Sequence, residues 1–260
     1  MSTFGTFRER LANGETLLGA SVVFSDARVT ETLAPSVDFI WLETEHALIG
    51  AESVVAHTLA ARAAGVPLLM RIPAGTTACI KPALDSGVEG LIVPQIRTVE
   101  EVRSVIDDVR YAPTGRRGMG PVRPSNYGRI SGHDVVADST DNVFLAVQIE
   151  TVEALEAVEE IAALPGLDSL VVGPTDLSAS LGLLMQYDHP DVVAAIKRIV
   201  AAAQANGLSV GVGVGSAEIA AAMIRLGVQW VQLSGTDAYL WQRFEQLDAE
   251  TRKLLAADEG

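Results

Sequence analysis

The sequence predicts a single (β/α)8 barrel of the TIM type, an α/β fold, and three observations lead there. Eight short, nearly continuous apolar runs recur along the 260 residues. The segments between them carry the 3.6-residue periodicity of helices, so strand and helix alternate. No Ser/Gly/Pro-rich linker or charge block divides the chain, and barrels of about 250 residues commonly form one domain. Residues 1–260 are therefore read as one barrel domain. A doubly wound open sheet is the alternative with the same alternation.

The runs are Leu17 to Phe24, Asp38 to Glu45, Pro67 to Pro73, Gly90 to Ile96, Val143 to Glu150, Ser169 to Thr175, Ser209 to Gly215 and Trp230 to Gly235. Being continuous rather than alternating, they suit parallel strands covered on both faces. Helices are expected over Glu52 to Ala64, Val99 to Arg110, Val152 to Leu164, Asp191 to Asn206 and Ala217 to Leu226. Gly65, Gly207 and Gly227 stand where these helices need a left-handed C-terminal cap. Trp241 to Ala256 reads as an amphipathic helix whose Trp241, Phe244, Leu247 and Leu254 can cover the barrel or a neighbouring subunit. Between Ile96 and Val143 the chain is longer than one helix needs, and the glycine- and arginine-bearing stretch Pro113 to Arg129 is expected to act as an active-site lid, with a subunit contact as the alternative.

Acidic residues outnumber basic ones by 33 to 19, for a formal charge of -14, which opposes attraction to nucleic acid or anionic lipid. No apolar run approaches the ~18 residues of a membrane span, and the N-terminus lacks the apolar segment of a signal peptide, so a cytoplasmic location is expected. Cys79 is the only cysteine, which leaves neither an internal disulfide nor a thiolate zinc site. None of Lys81, Lys197 and Lys253 closes a strand, which disfavours Schiff-base chemistry. The Gly211 to Gly215 run fits neither GxGxxG nor a Walker loop.

In a barrel the reactive groups stand at the C-terminal ends of strands. Here those ends carry Glu43, Glu45 and His46, then Arg71, Gln95, Gln148 with Glu150, Asp176 and Asp237. An apolar strand that ends in an ionisable group must solvate it, pair it or bind a cation with it. Glu150 and Asp176 close neighbouring strands, so their repulsion favours a shared cation or a shared proton. Two oxygen ligands plus substrate and water suit Mg2+ or Mn2+; a general acid/base pair and a pair of helix N-caps are the other readings. His46 alone among the four histidines stands at a strand end, suited to moving protons near neutral pH or to bridging loops, whereas His57, His133 and His189 look like surface residues. Arg71 suits an enolate or carboxylate oxygen, or a salt bridge to a barrel carboxylate.

At these same residues the chain resembles the HpcH/HpaI family of class II, metal-dependent pyruvate aldolases. The resemblance rests on Glu45-His46, Arg71, Leu84-Asp85-Ser-Gly87, Val93-Pro94, Arg110-Tyr-Ala-Pro-Thr-Gly-Arg-Arg-Gly118, Val147-Gln-Ile-Glu-Thr151 and Val172-Gly-Pro-Thr-Asp-Leu-Ser178, in order over nearly the whole chain. It implies a lyase that reversibly cleaves 4-hydroxy-2-oxo acids to pyruvate, or a related 2-oxo acid, and an aldehyde through a metal-bound enolate. It further implies a divalent metal (Mg2+, Mn2+ or Co2+) on Glu150 and Asp176. The substrate carboxylate would lie on the backbone around Gly173, Pro174, Thr175 and Asp176, and Arg71 would meet the enolate oxygen. His46 would move protons, Asp85 would support them, and Gln148 would orient the ligands and border the substrate. A homohexamer, a trimer of dimers that exchange the C-terminal helix, is implied as well. An oxaloacetate decarboxylase or other enolate-forming relative, or a non-catalytic oxoacid-binding barrel, remains the alternative.

Two departures from the family pattern stand out. Glu43-Thr-Glu-His46 replaces the frequent Asp-Gly-Glu-His, which puts the hydrogen bond from residue 43 to His46 in question. Thr175 replaces alanine or serine, and Gly213 stands where bulkier apolar residues are usual, so an altered, roomier acceptor pocket is expected.

Overall fold

The computed structural model describes residues 3–258. The eight strands are β1 (Leu17–Val22), β2 (Phe39–Glu43), β3 (Leu68–Arg71), β4 (Gly90–Val93), β5 (Phe144–Ile149), β6 (Ser169–Val172), β7 (Ser209–Val214) and β8 (Trp230–Gly235). Each pairs in parallel with the next, and β8 pairs with β1, so the sheet closes into a barrel and the open-sheet alternative is excluded. Seven of the strands are shorter than the apolar runs that predict them, because their last residues turn out of the ladder onto the rim.

Helices α1 (Thr3–Ala12), α2 (Arg28–Leu33), α3 (Ala51–Ala64), α4 (Thr77–Asp85), α5 (Val99–Val109) and α6 (Gly132–Asn142) lie in the first half. The second half holds α7 (Val152–Glu156), α8 (Val158–Ala162), α9 (Pro174–Ser180), α10 (Pro190–Ala205), α11 (Ala217–Arg225) and α12 (Thr236–Asp258). The single helix expected over Val152 to Leu164 is thus two, offset at Ala157, whose backbone leaves the helical region (φ -98°, ψ 9°). Gly65, Gly207 and Gly227 all have positive φ, as capping requires.

Two apolar layers hold the barrel. The outer layer packs strands against helices through residues such as Ile40, Leu91, Val147, Ile196 and Val231. The inner layer is aromatic: Phe4 and Phe7 of α1 enter the N-terminal mouth and meet Phe39, Phe144 and Trp230. Phe7 and Phe144 cross edge to face at 5.3 Å, as do Phe39 and Trp230 at 5.5 Å. Gly19 and Gly211 leave the room these rings occupy, since a side chain at Gly19 would enter the ring of Phe39 and one at Gly211 that of Trp230. The glycine run on β7 is therefore in part a packing device. Trp41 lies higher in the barrel, 5.9 Å from Trp230, and carries this stack up to the C-terminal mouth.

Two expectations are corrected. The stretch Pro113 to Arg129 borders neither cavity at the C-terminal mouth and so is not placed as a lid. Buried Asp108 draws Arg116 to it (2.6 Å) and Asp85 draws Arg117 (3.1 Å), which folds the segment onto α4 and α5. His57 is fully buried, because α2 lies over α3 and sets Thr30 Oγ1 2.7 Å from His57 Nδ1. Burial lowers the His57 pKa, an effect offset in part by hydrogen bonding to the backbone of Phe24 and Ser25.

Candidate active site

The register of β2 against β3 sets Glu43 beside Arg71 at the C-terminal rim. Glu43 Oε2 accepts from Arg71 Nε at 2.6 Å and from Trp41 Nε1 at 3.2 Å. Its other oxygen, Oε1, accepts from the backbone N–H groups of Glu45 (2.7 Å) and His46 (3.0 Å). Glu43 is thus consumed in fixing Arg71 and the turn after β2, and the structure shows no bond from it to the His46 ring. The carboxylate nearest that ring is Glu45, with Oε2 3.6 Å from His46 Nε2 and 3.2 Å from Arg71 Nη1. Among the described residues Glu45 Oε2 makes no well-aligned hydrogen bond, and burial raises the Glu45 pKa against the opposing pull of Arg71. The Arg71 guanidinium lies over the Trp41 ring at 5.4 Å, so ring and carboxylates fix its plane. Each guanidinium nitrogen thus meets a carboxylate, Nε and Nη2 that of Glu43 and Nη1 that of Glu45, while the side chain borders the cavity.

Across the mouth, β5 supplies Gln148 and, one residue past its end, Glu150. The next residue, Thr151, caps α7 by accepting from Ala154 N–H at 3.1 Å, so the helix is satisfied without Glu150. Glu150 is buried; Oε1 accepts from the Gln95 backbone N–H at 2.6 Å and Oε2 from Gln148 Nε2. Gln95 reaches this position in the left-handed region (φ 59°), so strand four contributes a backbone donor, not the side chain that the sequence singles out. Gly173 is dictated by this cluster: a methyl group there would stand 2.6 Å from Glu150 Oε2 and 2.8 Å from Gln148 Nε2. Burial pushes the Glu150 pKa up to about 7; the Gln95 N–H opposes this, and the negative charges of Glu45 and Asp176 add to it.

This donor set fits a hard divalent cation. The buried Glu150 carboxylate feels the negative charges of Glu45 and Asp176, Gln148 Oε1 is buried and, among the described residues, has no hydrogen-bond partner, and oxygen donors are what Mg2+ or Mn2+ take. Among the described residues no three His, Cys, Asp or Glu side chains converge into a metal-holding group, so the fit rests on the carboxylates of Glu150 and Asp176 and the Gln148 oxygen. Gly173 N–H already donates to Ile149 O at 3.2 Å and Pro174 has none. The backbone donors left in this turn are therefore those of Thr175 and Asp176.

Two adjoining cavities open at the mouth. One, of about 390 Å³, is lined by Trp41, His46, Arg71, Gln148, Gly173 and Asp176 among others. The second, of about 420 Å³, shares His46, Arg71, Pro174, Thr175, Gly213 and Gln232 with it and extends to Ser21, Tyr187, Ser234, Asp237 and Ala238. The predicted residues Glu43, Glu45, His46, Arg71, Gln148, Glu150 and Gly173 to Asp176 thus come together. Asp85 does not join them within this chain: it ends α4 in ion pairs with Lys81 (2.9 Å) and Arg117 (3.1 Å) and borders neither cavity. Trp41, Tyr187 and Gln232 were not foreseen. Trp41 is two residues before Glu43 and so on the same strand face, and Gln232 is a polar interruption in an apolar strand; both signals are in the sequence. Tyr187 has none, because an intervening loop brings it to the rim.

A closed parallel barrel with an arginine, carboxylates and a cavity at its C-terminal mouth defines a barrel enzyme. The family model for HpcH/HpaI aldolase/citrate lyase matches residues 23–240, and the chain belongs to that family. It is 33% identical to a hydroxypyruvate/pyruvate aldolase of Roseobacter denitrificans over 80% of this chain and 81% of that one. A 2-keto-3-deoxy-L-rhamnonate aldolase of Escherichia coli is 32% identical over 90% of this chain and 88% of its own. The crystal structure of an HpcH/HpaI aldolase/citrate lyase family protein from Burkholderia cenocepacia superposes with a TM-score of 0.88 at 32% identity, covering 95% of this chain and 99% of that one.

Proposed function

We propose that the chain is a divalent-metal-dependent aldolase that joins pyruvate, or a related 2-oxo acid, to an aldehyde and reverses that reaction. The observation that carries the reading is Arg71, clamped by Glu43 and Glu45 over Trp41 and facing a cavity that also holds Gln148 and Asp176. Glu150 and Asp176 would hold Mg2+, Mn2+ or Co2+, which would supply positive charge beside the oxygens of the 2-oxo acid. The N–H groups of Thr175 and Asp176 would receive its carboxylate. Arg71 would stabilise the oxygen that gains charge when the methyl carbon loses a proton. His46, close to Glu45, would move that proton and return one to the aldehyde oxygen. One carbon–hydrogen bond and the π bond of the aldehyde carbonyl are exchanged for one carbon–carbon bond and one oxygen–hydrogen bond, so the step balances without an oxidant or reductant.

Deuterium exchange into the pyruvate methyl group, followed by NMR on chelator-stripped protein with and without added metal, tests this without any aldehyde. Exchange is expected only with metal, and Arg71→Ala is expected to slow it by about 10²–10³-fold, the loss typical of one oxyanion donor. Absence of exchange under all conditions, or equal exchange without metal, sinks the reading.

The assembly belongs to the same proposal. α12 leaves the rim and exposes Leu240, Trp241, Phe244, Leu247, Leu254 and Leu255, a face that a second copy of the chain would cover in a homo-oligomer, a hexamer by family resemblance. No described helix is long and apolar enough to cross a membrane. We place the enzyme in the cytoplasm.

A further inference from the structure

The second cavity is not apolar where Gly213 stands. β7 and β8 are in register at Gly213 and Gln232, side by side on the barrel's inner wall. A side chain at position 213 would begin 2.5 Å from Gln232 Oε1, so the space opened by Gly213 is taken by the Gln232 carboxamide. Ser234, held with positive φ (60°), turns its carbonyl back to accept from Gln232 Nε2. That fixes the orientation of the amide and leaves Oε1, among the described residues, without a donor. The Thr175 hydroxyl meets the Tyr187 hydroxyl at 3.0 Å, and both residues line the same cavity. Glycine at 213 and threonine at 175 therefore each bring a polar group to one wall, and the Arg71 edge joins that wall to the first cavity.

We infer that the second cavity is the acceptor subsite for hydroxylated aldehydes, and that Gln232 and the Thr175–Tyr187 pair select them. The inference rests on the aldolase reading above and names its acceptor class. An alkyl aldehyde entering the cavity displaces water from Gln232 Oε1 and the paired hydroxyls and gives nothing back, whereas an acceptor bearing hydroxyls donates to Oε1 and accepts from Thr175 or Tyr187. A site built to bond a substrate hydroxyl rejects the analogue without it, because its own polar groups are then left unpaired. An apolar side chain at 213 would force the carboxamide aside and reverse this preference.

The test compares glyceraldehyde with propanal, three carbons each, as acceptors for pyruvate in the metal-loaded enzyme, with rates expressed per free aldehyde and normalised to pyruvate methyl exchange. The native enzyme should favour glyceraldehyde in kcat/KM by ~10-fold or more, and Gln232→Leu should cut the ratio by ~10-fold, the scale of one hydrogen bond. Gly213→Leu, which removes no polar group, should lower the ratio in the same sense by displacing the carboxamide. Methyl exchange with no preference for glyceraldehyde, or a preference that survives both variants, overturns the acceptor assignment and leaves the aldolase reading standing. No methyl exchange in the native enzyme removes both.

Discussion

At Gly173 a single hydrogen in place of a methyl group decides whether Glu150 can sit where it does. Gly173→Ala has no backbone obstacle, since φ is -97°, yet its methyl would meet Glu150 Oε2 at 2.6 Å and Cβ at 2.7 Å. The fold should survive and the carboxylate should move, so Mn2+ affinity measured by calorimetry is expected to fall about 10–100-fold, the usual cost of disturbing the groups that orient a ligand. Glu150 also predicts a pH signature. Its folded-state pKa, about 7, is raised above the ordinary value of 4.5, so its contribution to stability is present below pH 4.5 and is lost as pH rises through 7. A cation that binds the ionised form offsets that loss, and proton competition weakens its binding below about pH 7. The rise in Tm on adding Mn2+ to chelated protein should therefore be small at pH 5 and large at pH 8. Equal rises at both would remove Glu150 from the cation site.

Among the elements, α1 and the long β4–β5 connection teach opposite lessons about what a sequence carries. Strand positions were legible because barrel strands are covered on both faces and read as near-continuous apolar runs, as in the buried Phe144–Ile149, where Gln148 alone is polar. The plugging role of α1 was not, since Phe4 and Phe7 belong to a pattern that fits any amphipathic helix; only the rings of Phe144 and Trp230 show what they meet. The lid reading of Pro113 to Arg129 failed for a related reason. Loop length and arginine content do not say which buried carboxylate the arginines will find, and here Asp85 and Asp108 claim them. Likewise the strand-end rule located Glu43, Arg71 and Glu150, but their partnership depends on register, which pairs Glu43 with Arg71 and Gly213 with Gln232. For α1, Phe7→Ala should cost about 3–5 kcal/mol in urea unfolding, the loss of a buried aromatic, with kcat per folded molecule retained because the plug lies at the end opposite the mouth. A loss under 1 kcal/mol would show that α1 is not part of the barrel core.

At the scale of the whole molecule, the inner aromatic layer and the outer aliphatic layer satisfy the barrel, while α12 is left with apolar side chains that nothing among the described residues covers. Phe244 and Leu240 are 71% and 65% exposed, so replacing both by aspartate should cost the monomer little stability and should break the oligomer. Light scattering on the native and doubly substituted proteins reads this directly; a native monomer, or an oligomer that survives the substitutions, assigns the face no role in assembly.

The first turn of α12 is also cavity wall, through Asp237 and Ala238. One helix therefore has its root in the proposed acceptor subsite and its shaft in the exposed face proposed for a second copy. Under that assembly mass action would reach the chemistry: diluting the protein would free the shaft, loosen the root and raise the KM for the aldehyde more than it slows methyl exchange on pyruvate. Protein concentration would then act on one half of the reaction more than on the other.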